Sequence, residues 1–296
     1  MSSLPLTRRT ILSSITMAAA VPLLTPSSAM SSPNGMEARL KKLEAQSGGR
    51  LGVAVLDSAT GQVTGNHLDE RVAMCSTVKT LIVAYVLARV DRQMETLDRR
   101  IVFTAHDLVS PYKATQPHVG PEGMSIAALC EAAITVSDST AANLLLTSFG
   151  GPVALTSYLQ SLGDEVTRSD RFELALNVVK PGEAHDTTTP RAMVGTLHRL
   201  LLDDALLETS RARLTNWMIE AKDAATRRLR VGLPAGWRIA NKPGTWEGIS
   251  TNDVAVIWPP SRAPIVVATY LGNAPGSIIM QEGILADVAR IIAEEV

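Results

Sequence analysis

"AMCSTVKTLIVAYVLARV", Ala73 to Val90, is the stretch on which the reading of this chain turns. Beyond Ser76 and Lys79 it runs through Leu, Ile, Val, Ala and Tyr, the pattern of a helix buried on nearly all sides. An ammonium at the head of such a helix must be paired, deprotonated or put to work, because burying a lone charge is prohibitively costly. Residues three apart share a helix face, so Ser76 Oγ and Lys79 Nζ can meet. A hydroxyl is a weak nucleophile unless a base lies beside it. Alone, S-x-x-K is common, and it reads equally well as a capping serine followed by a lysine snorkelling to the surface. The rest of the chain decides between the two.

The chain has 296 residues, 46% hydrophobic and 19% charged, ordinary values for a globular protein. Its first segment, "MSSLPLTRRTILSSITMAAAVPLLTPSSAM", has a basic pair, an apolar run from Ile11 to Leu24 and small residues before Met30. That is the pattern of a secretory signal over residues 1–29, cleaved after Ala29. The run is short for a bilayer span and contains Pro22, which argues against a retained anchor. "TRRTIL" resembles a twin-arginine export signal, so export to the periplasm or the medium is expected. Of 28 Lys and Arg, removal of the segment takes Arg8 and Arg9, leaving 26 against 29 acidic residues and a net charge of −3. No basic tract remains, which excludes nucleic acid or a membrane surface as an expected partner. A monomer acting on a small molecule is expected. Five scattered histidines show no metal-ligand spacing, so neither metal nor cofactor is expected.

"MEARLKKLEAQSG" has helical periodicity with a glycine stop, and "RLGVAVLDSATGQVTGNHL" reads as strand, turn, strand. From Ser76 to about Asp223 the pattern is mainly helical. Strand signals return in "GWRIANK", "TNDVAVIW" and "APIVVATYL", and "GSIIMQEGILADVARIIAEE" closes the chain as a helix. This predicts an α/β (α+β) fold. An antiparallel sheet is built from both chain ends and covered by terminal helices, with an inserted all-helical subdomain. One catalytic domain is expected over 30–296, its sheet part at about 30–67 and 224–296 and its helical part at about 68–223. A cleft between the two parts is the natural place for a site.

Three further stretches place reactive groups between apolar elements: "TVSDST", "RFELALN" and "NKPGTWEG". Separately they read as a helix N-cap, a surface loop closed by Arg171 and Asp186, and a solvated strand end. Together, and in this order, they resemble the class A serine β-lactamases, which share a fold with the penicillin-binding transpeptidases. The resemblance covers the mature chain, including "LCEAAITVSDSTAANLLL", "DTTTPRAM" and "LPAGWRIANKPGTWEGISTNDVAVIWPP". It implies that Ser76 opens the lactam and becomes acylated, that Lys79 shares in its activation, and that Ser137 relays a proton to the leaving nitrogen. Glu173 would activate the deacylating water, with Asn177 holding it; either Lys79 or Glu173 could take the Ser76 proton first. It further implies an oxyanion hole from the backbone N–H groups of Ser76 and Thr245 beside Gly244. Lys242 and Arg228 would supply positive charge for the substrate carboxylate, Tyr112 an aromatic wall, and Arg171 with Asp186 a clamp on the Glu173 loop.

Several positions depart from the family pattern. Ser139 stands where Asn is usual, so contacts to the substrate and the Lys79 region are expected to weaken or pass through water. Pro243 stands where Thr is usual and lacks both a hydroxyl and an N–H, which an edge strand alone tolerates. Trp246 replaces a common glycine and is expected to narrow the pocket. Export permits a Cys75–Cys130 disulfide. The family's bridges, however, would pair Cys130 with position 83, or Cys75 with position 246. Those are Val83 and Trp246, so free thiols are expected. The rival readings are a transpeptidase or carboxypeptidase, and a β-lactam-binding protein that stays acylated. Neither has need of Glu173 and Asn177.

Overall fold

The computed structural model describes residues 1–2 and 33–296, so the signal-like segment and its cleavage position lie outside the described residues. A first helix, α1 (Pro33–Ser47), leads into the hairpin β1 (Arg50–Asp57) and β2 (Val63–Asn66). A two-residue strand, β3 (Val72–Ala73), precedes the turn Cys75–Thr77 and helix α2 (Val78–Asp91). Next come β4 (Arg100–Phe103), β5 (Gly120–Ser125), α3 (Ile126–Thr135), α4 (Ser139–Ser148) and α5 (Gly151–Ser161). The loop carrying Glu173 follows, then β6 (Thr187–Thr188), α6 (Pro190–Leu201), α7 (Glu208–Ile219) and the single turn α8 (Leu229–Gly232). Strands β7 (Arg238–Trp246), β8 (Ser250–Trp258) and β9 (Ile265–Gly272) precede the last helix, α9 (Ile278–Glu295).

The five-stranded sheet is antiparallel throughout, in the order β2-β1-β9-β8-β7, so strands from both chain ends meet as expected. Its middle strands read as unbroken apolar runs because both faces are covered. Alternate side chains point to opposite faces. Ala54, Leu56, Val254, Val256, Val266 and Ala268 join the core of the helical block. Val53, Val55, Ala255, Ile257, Ile265 and Val267 pack instead against Leu40 and Leu43 of α1 and Leu285 and Ile292 of α9.

Helix α2 lies inside the helical block, and ten of its fourteen residues are buried, Lys79 among them. It has no polar stripe, which explains why its sequence reads as apolar all round. Two short ladders inside the nominally helical stretch were not expected: β4 with β5, and β3 with β6. The burial pattern of β4, mostly exposed with one buried end, gives too weak an alternation to reveal it. Among the described residues no helix is long and apolar enough to cross a membrane.

Candidate active site

Ser76 sits in the turn that feeds directly into α2, one residue after Cys75, whose φ of +47° is strained for a side chain with a Cβ. Lys79 follows one turn later and is fully buried. Its Nζ lies 3.2 Å from Ser76 Oγ, 2.8 Å from the Ser137 carbonyl, 3.4 Å from Ser137 Oγ and 3.2 Å from Ser139 Oγ. Glu173 Oε1 is 2.9 Å away, a charge contact between two buried groups without directional hydrogen-bond geometry. An ammonium has three protons. Five oxygens therefore compete for three donors, and Lys79 can shift among them without moving its stem. It does not snorkel to the surface. The Ser139 contact with the Lys79 region, expected to weaken or pass through water, is a direct one at 3.2 Å.

The Ser137–Ser139 segment is held by Asp138. This buried carboxylate caps α4 through the N–H of Ala141 and also accepts from the N–H groups of Ala114 and Thr115. The cap reading of "TVSDST" holds, and the same cap keeps Ser137 beside Lys79 and Lys242. Ser137 itself adopts φ +57°.

Glu173 is placed by its loop. Arg171 Nε donates to Asp186 Oδ2 at 2.6 Å, and Asp186 Oδ1 accepts from the N–H groups of Asp170 and Arg171. Asn177 Nδ2 donates to Glu173 Oε2 at 2.8 Å. Asn143 of α4 holds the backbone at the same residue, accepting from its N–H at 2.9 Å and donating to its carbonyl at 3.1 Å. The sequence reading missed Asn143. Its signal was modest: a polar residue at the α4 position four after Ser139, which shares that face.

Strand β7 closes the other side. As the edge strand it tolerates Pro243, which faces Asp253 of β8. Lys242 is fully buried, and its Nζ donates to Ser137 Oγ and to the Pro243 carbonyl, both at 3.0 Å. Burial, and then the nearby Lys79 charge, push its pKa well below the ordinary lysine value. Asp253, buried behind it, is raised to about 6 by burial, against the pull of Arg228, the Asn241 hydrogen bond and Lys242.

Arg228 is only 1% exposed and does not open onto the cleft. Its Nη1 donates to the carbonyls of Gly244 and Asn252 at 2.8 and 2.6 Å, and its Nη2 to Thr245 Oγ1 at 2.6 Å. Burial lowers its pKa, opposed mainly by Asp253 and Glu282. The direct carboxylate contact expected of Arg228 is not available to a side chain this buried; what its guanidinium reaches is Thr245.

Ser76, Pro111, Ser137, Lys242, Pro243 and Thr245 are among the residues lining a cleft of about 220 Å³. Tyr112 is half-buried next to Pro111 and is not among the lining residues, nor is Trp246. Gly244 is required: a Cβ there would come within 2.9 Å of the Met74 carbonyl. Cys75 and Cys130 are both free and buried.

A half-exposed serine in contact with a buried lysine, a second buried lysine across the cleft, and a carboxylate held by an amide define a serine-nucleophile hydrolase site. Over residues 35–296 the sequence matches the profile described as the "Beta-lactamase enzyme family". It is 40% identical to a β-lactamase of Streptomyces albus G over 97% of this chain and 96% of that one. It is likewise 40% identical to β-lactamase OXY-1 of Klebsiella oxytoca, covering 94% and 95% of the two chains. Among solved structures, an ancestral (GNCA) class A β-lactamase superposes with a TM-score of 0.86 at 53% identity, covering 88% of this chain and all of that one. This chain belongs to the β-lactamase enzyme family.

Proposed function

We propose that the protein hydrolyses β-lactam antibiotics of the penicillin and cephalosporin type through a Ser76 acyl-enzyme, and so confers resistance. In acylation, Lys79 passes one proton to the Glu173 carboxylate 2.9 Å away, and the freed amine takes the Ser76 proton as Ser76 Oγ attacks the lactam carbonyl. The C–N bond breaks, and the nitrogen takes a proton from Ser137, which is reprotonated from the lysines beside it. The backbone N–H groups of Ser76 and Thr245 hold the oxyanion. In deacylation, Glu173, its proton returned to Lys79, takes one from water as that water attacks the ester; Lys79 gives a proton to Ser76 Oγ as it leaves and is reprotonated by Glu173.

One observation carries this reading over an enzyme that stays acylated or transfers its acyl group. The Glu173 carboxylate lies in the same buried cluster as the nucleophile, with one oxygen on Lys79 and the other on Asn177. A transpeptidase has no use for a general base held there. The remaining features of the reading are a single catalytic domain over 30–296, a monomer, and export to the periplasm directed by the twin-arginine-like segment. They rest on the sequence pattern.

The test is hydrolysis of a chromogenic cephalosporin by the mature chain, followed over many turnovers, beside Ser76→Ala. Sustained turnover by the parent, with no turnover and no penicillin adduct on intact-protein mass spectrometry for the variant, is expected. A single stoichiometric burst from the parent would identify a binding protein; an adduct on the variant would identify another nucleophile.

A further inference from the structure

The two donors of the proposed oxyanion hole lie on segments far apart in the chain: Ser76 on the turn before α2 and Thr245 on the edge strand β7. Catalysis by such a hole depends on the spacing of its N–H groups around the developing charge. Something must fix the distance from the strand to the turn.

Asn252 of β8 makes that connection. It is fully buried and stands opposite Gly244 in the β7–β8 register. Its Nδ2 donates to the carbonyls of Ala73 at 2.9 Å and Met74 at 3.3 Å, the residues leading into the nucleophile turn. Its Oδ1 accepts from Ser250 Oγ at 2.8 Å, which fixes the amide's orientation. The same residue's backbone carbonyl accepts from Arg228, which also donates to the Gly244 carbonyl, the Thr245 hydroxyl and Glu282. Where Gly244 meets the turn there is no slack, since a Cβ on Gly244 would also fall 3.1 Å from the Thr77 nitrogen. One amide side chain thus joins the strand pair that carries Thr245 to the segment that carries Ser76.

We propose that Asn252 is a positioning residue that sets the spacing of the two oxyanion donors. The inference rests on the roles of Ser76 and Thr245 given above. Asn252 touches no substrate and leaves Lys242, the carboxylate anchor, unaltered. Its loss therefore weakens binding of the tetrahedral state and spares ground-state binding.

The experiment compares Asn252→Ala with the parent in three measurements, each normalised to folded protein by circular dichroism. These are kcat/KM for a penicillin, the Kd of an arylboronic acid that forms a tetrahedral adduct on Ser76, and the Kd of the penicillin in a Ser76→Ala background. Misplacing a donor by a fraction of an ångström should lower kcat/KM and boronate affinity together by roughly ten- to a hundredfold. Non-covalent penicillin binding should change by less than about threefold.

Should Asn252→Ala not fold, Ser250→Ala replaces it. That variant frees the amide to rotate, and the same pair of losses is expected at about two- to tenfold. Parent-like kcat/KM and boronate affinity in the folded variant overturn the proposal. So does an equal loss of non-covalent penicillin binding, which would mean that the whole cleft has loosened. Failure of the underlying site reading looks different: Ser76→Ala in the parent would then keep its turnover.

Discussion

Removing the Arg228 guanidinium tests how the site recognises the substrate's carboxylate without a threonine at position 243. Arg228 donates to Thr245 Oγ1 at 2.6 Å. A hydroxyl that accepts from a cation on its inner side is left with its own proton to point outward into the cleft. Arg228→Ala frees the hydroxyl to rotate and withdraws a buried positive charge. A hydrogen bond to a charged group contributes about 1.5–3 kcal/mol. The loss in kcat/KM for an anionic penicillin is therefore expected at roughly ten- to a hundredfold. The variant also leaves the buried carbonyls of Gly244 and Asn252 short of a donor, so rates must be referred to folded enzyme. Pro243→Thr adds a second hydroxyl at the same end of the cleft and should recover part of the loss if both groups serve one carboxylate. The assay is a double-mutant cycle on kcat/KM, with Arg228→Ala measured in the parent and in the Pro243→Thr background. Equal losses in both backgrounds would show independent action, and no loss in either would refute the role given to Arg228.

Glu173→Ala should leave a long-lived penicilloyl adduct visible by mass spectrometry, with turnover lowered by roughly a hundredfold or more; parent-rate turnover would reduce Glu173 to a loop residue. Because burial and Lys79 depress the Lys242 pKa, carboxylate affinity is fully present below that pKa and lost as pH rises through it. The KM for anionic penicillins should therefore climb at a pH well below the ordinary lysine value of about 10.4, and a KM that stays flat up to that value would contradict the assignment. Thiol titration of denatured, unreduced protein should find both Cys75 and Cys130 reactive, whereas the native protein should react slowly, because burial shields both and raises the Cys75 pKa to about 12. Finding no thiol after denaturation would reveal a disulfide.

What the sequence discloses and what it hides divides along contact range. Helical spacing brings Ser76 and Lys79 together, but they became legible only when "TVSDST", "RFELALN" and "NKPGTWEG" were set beside them, since alone the pair also reads as a cap and a snorkelling lysine. The sheet from both chain ends was legible because its strands are apolar on both faces and bounded by turn residues. The braces of the site were not. Asn252 meets Ala73 across 179 positions, and Arg228 meets Thr245 through a guanidinium that "TRRLR" presents as one basic residue among several. Such contacts depend on register between β7 and β8 and on which way a side chain turns at the α8 N-terminus. Neither leaves a local pattern.

The two hydroxyls that flank the nucleophile share one electrostatic arrangement. Ser137 Oγ accepts from Lys242 at 3.0 Å and lies 3.4 Å from Lys79, while Thr245 Oγ1 accepts from Arg228 at 2.6 Å. A hydroxyl has two lone pairs and one proton. With cations on the lone-pair side, the proton is left for the cleft; in the proposed mechanism that of Ser137 serves the departing nitrogen and that of Thr245 the carboxylate. Burying three cations so close together would be untenable without the carboxylates placed among them, Glu173 in front and Asp253 and Glu282 behind. Ser139 and Pro243 leave this arrangement intact, since neither supplies a charge and Ser139 keeps its contact with Lys79. What they alter is the surface offered to the rest of the substrate. The departures from the family pattern should therefore show first in which β-lactams are accepted, before they show in whether the ring is opened.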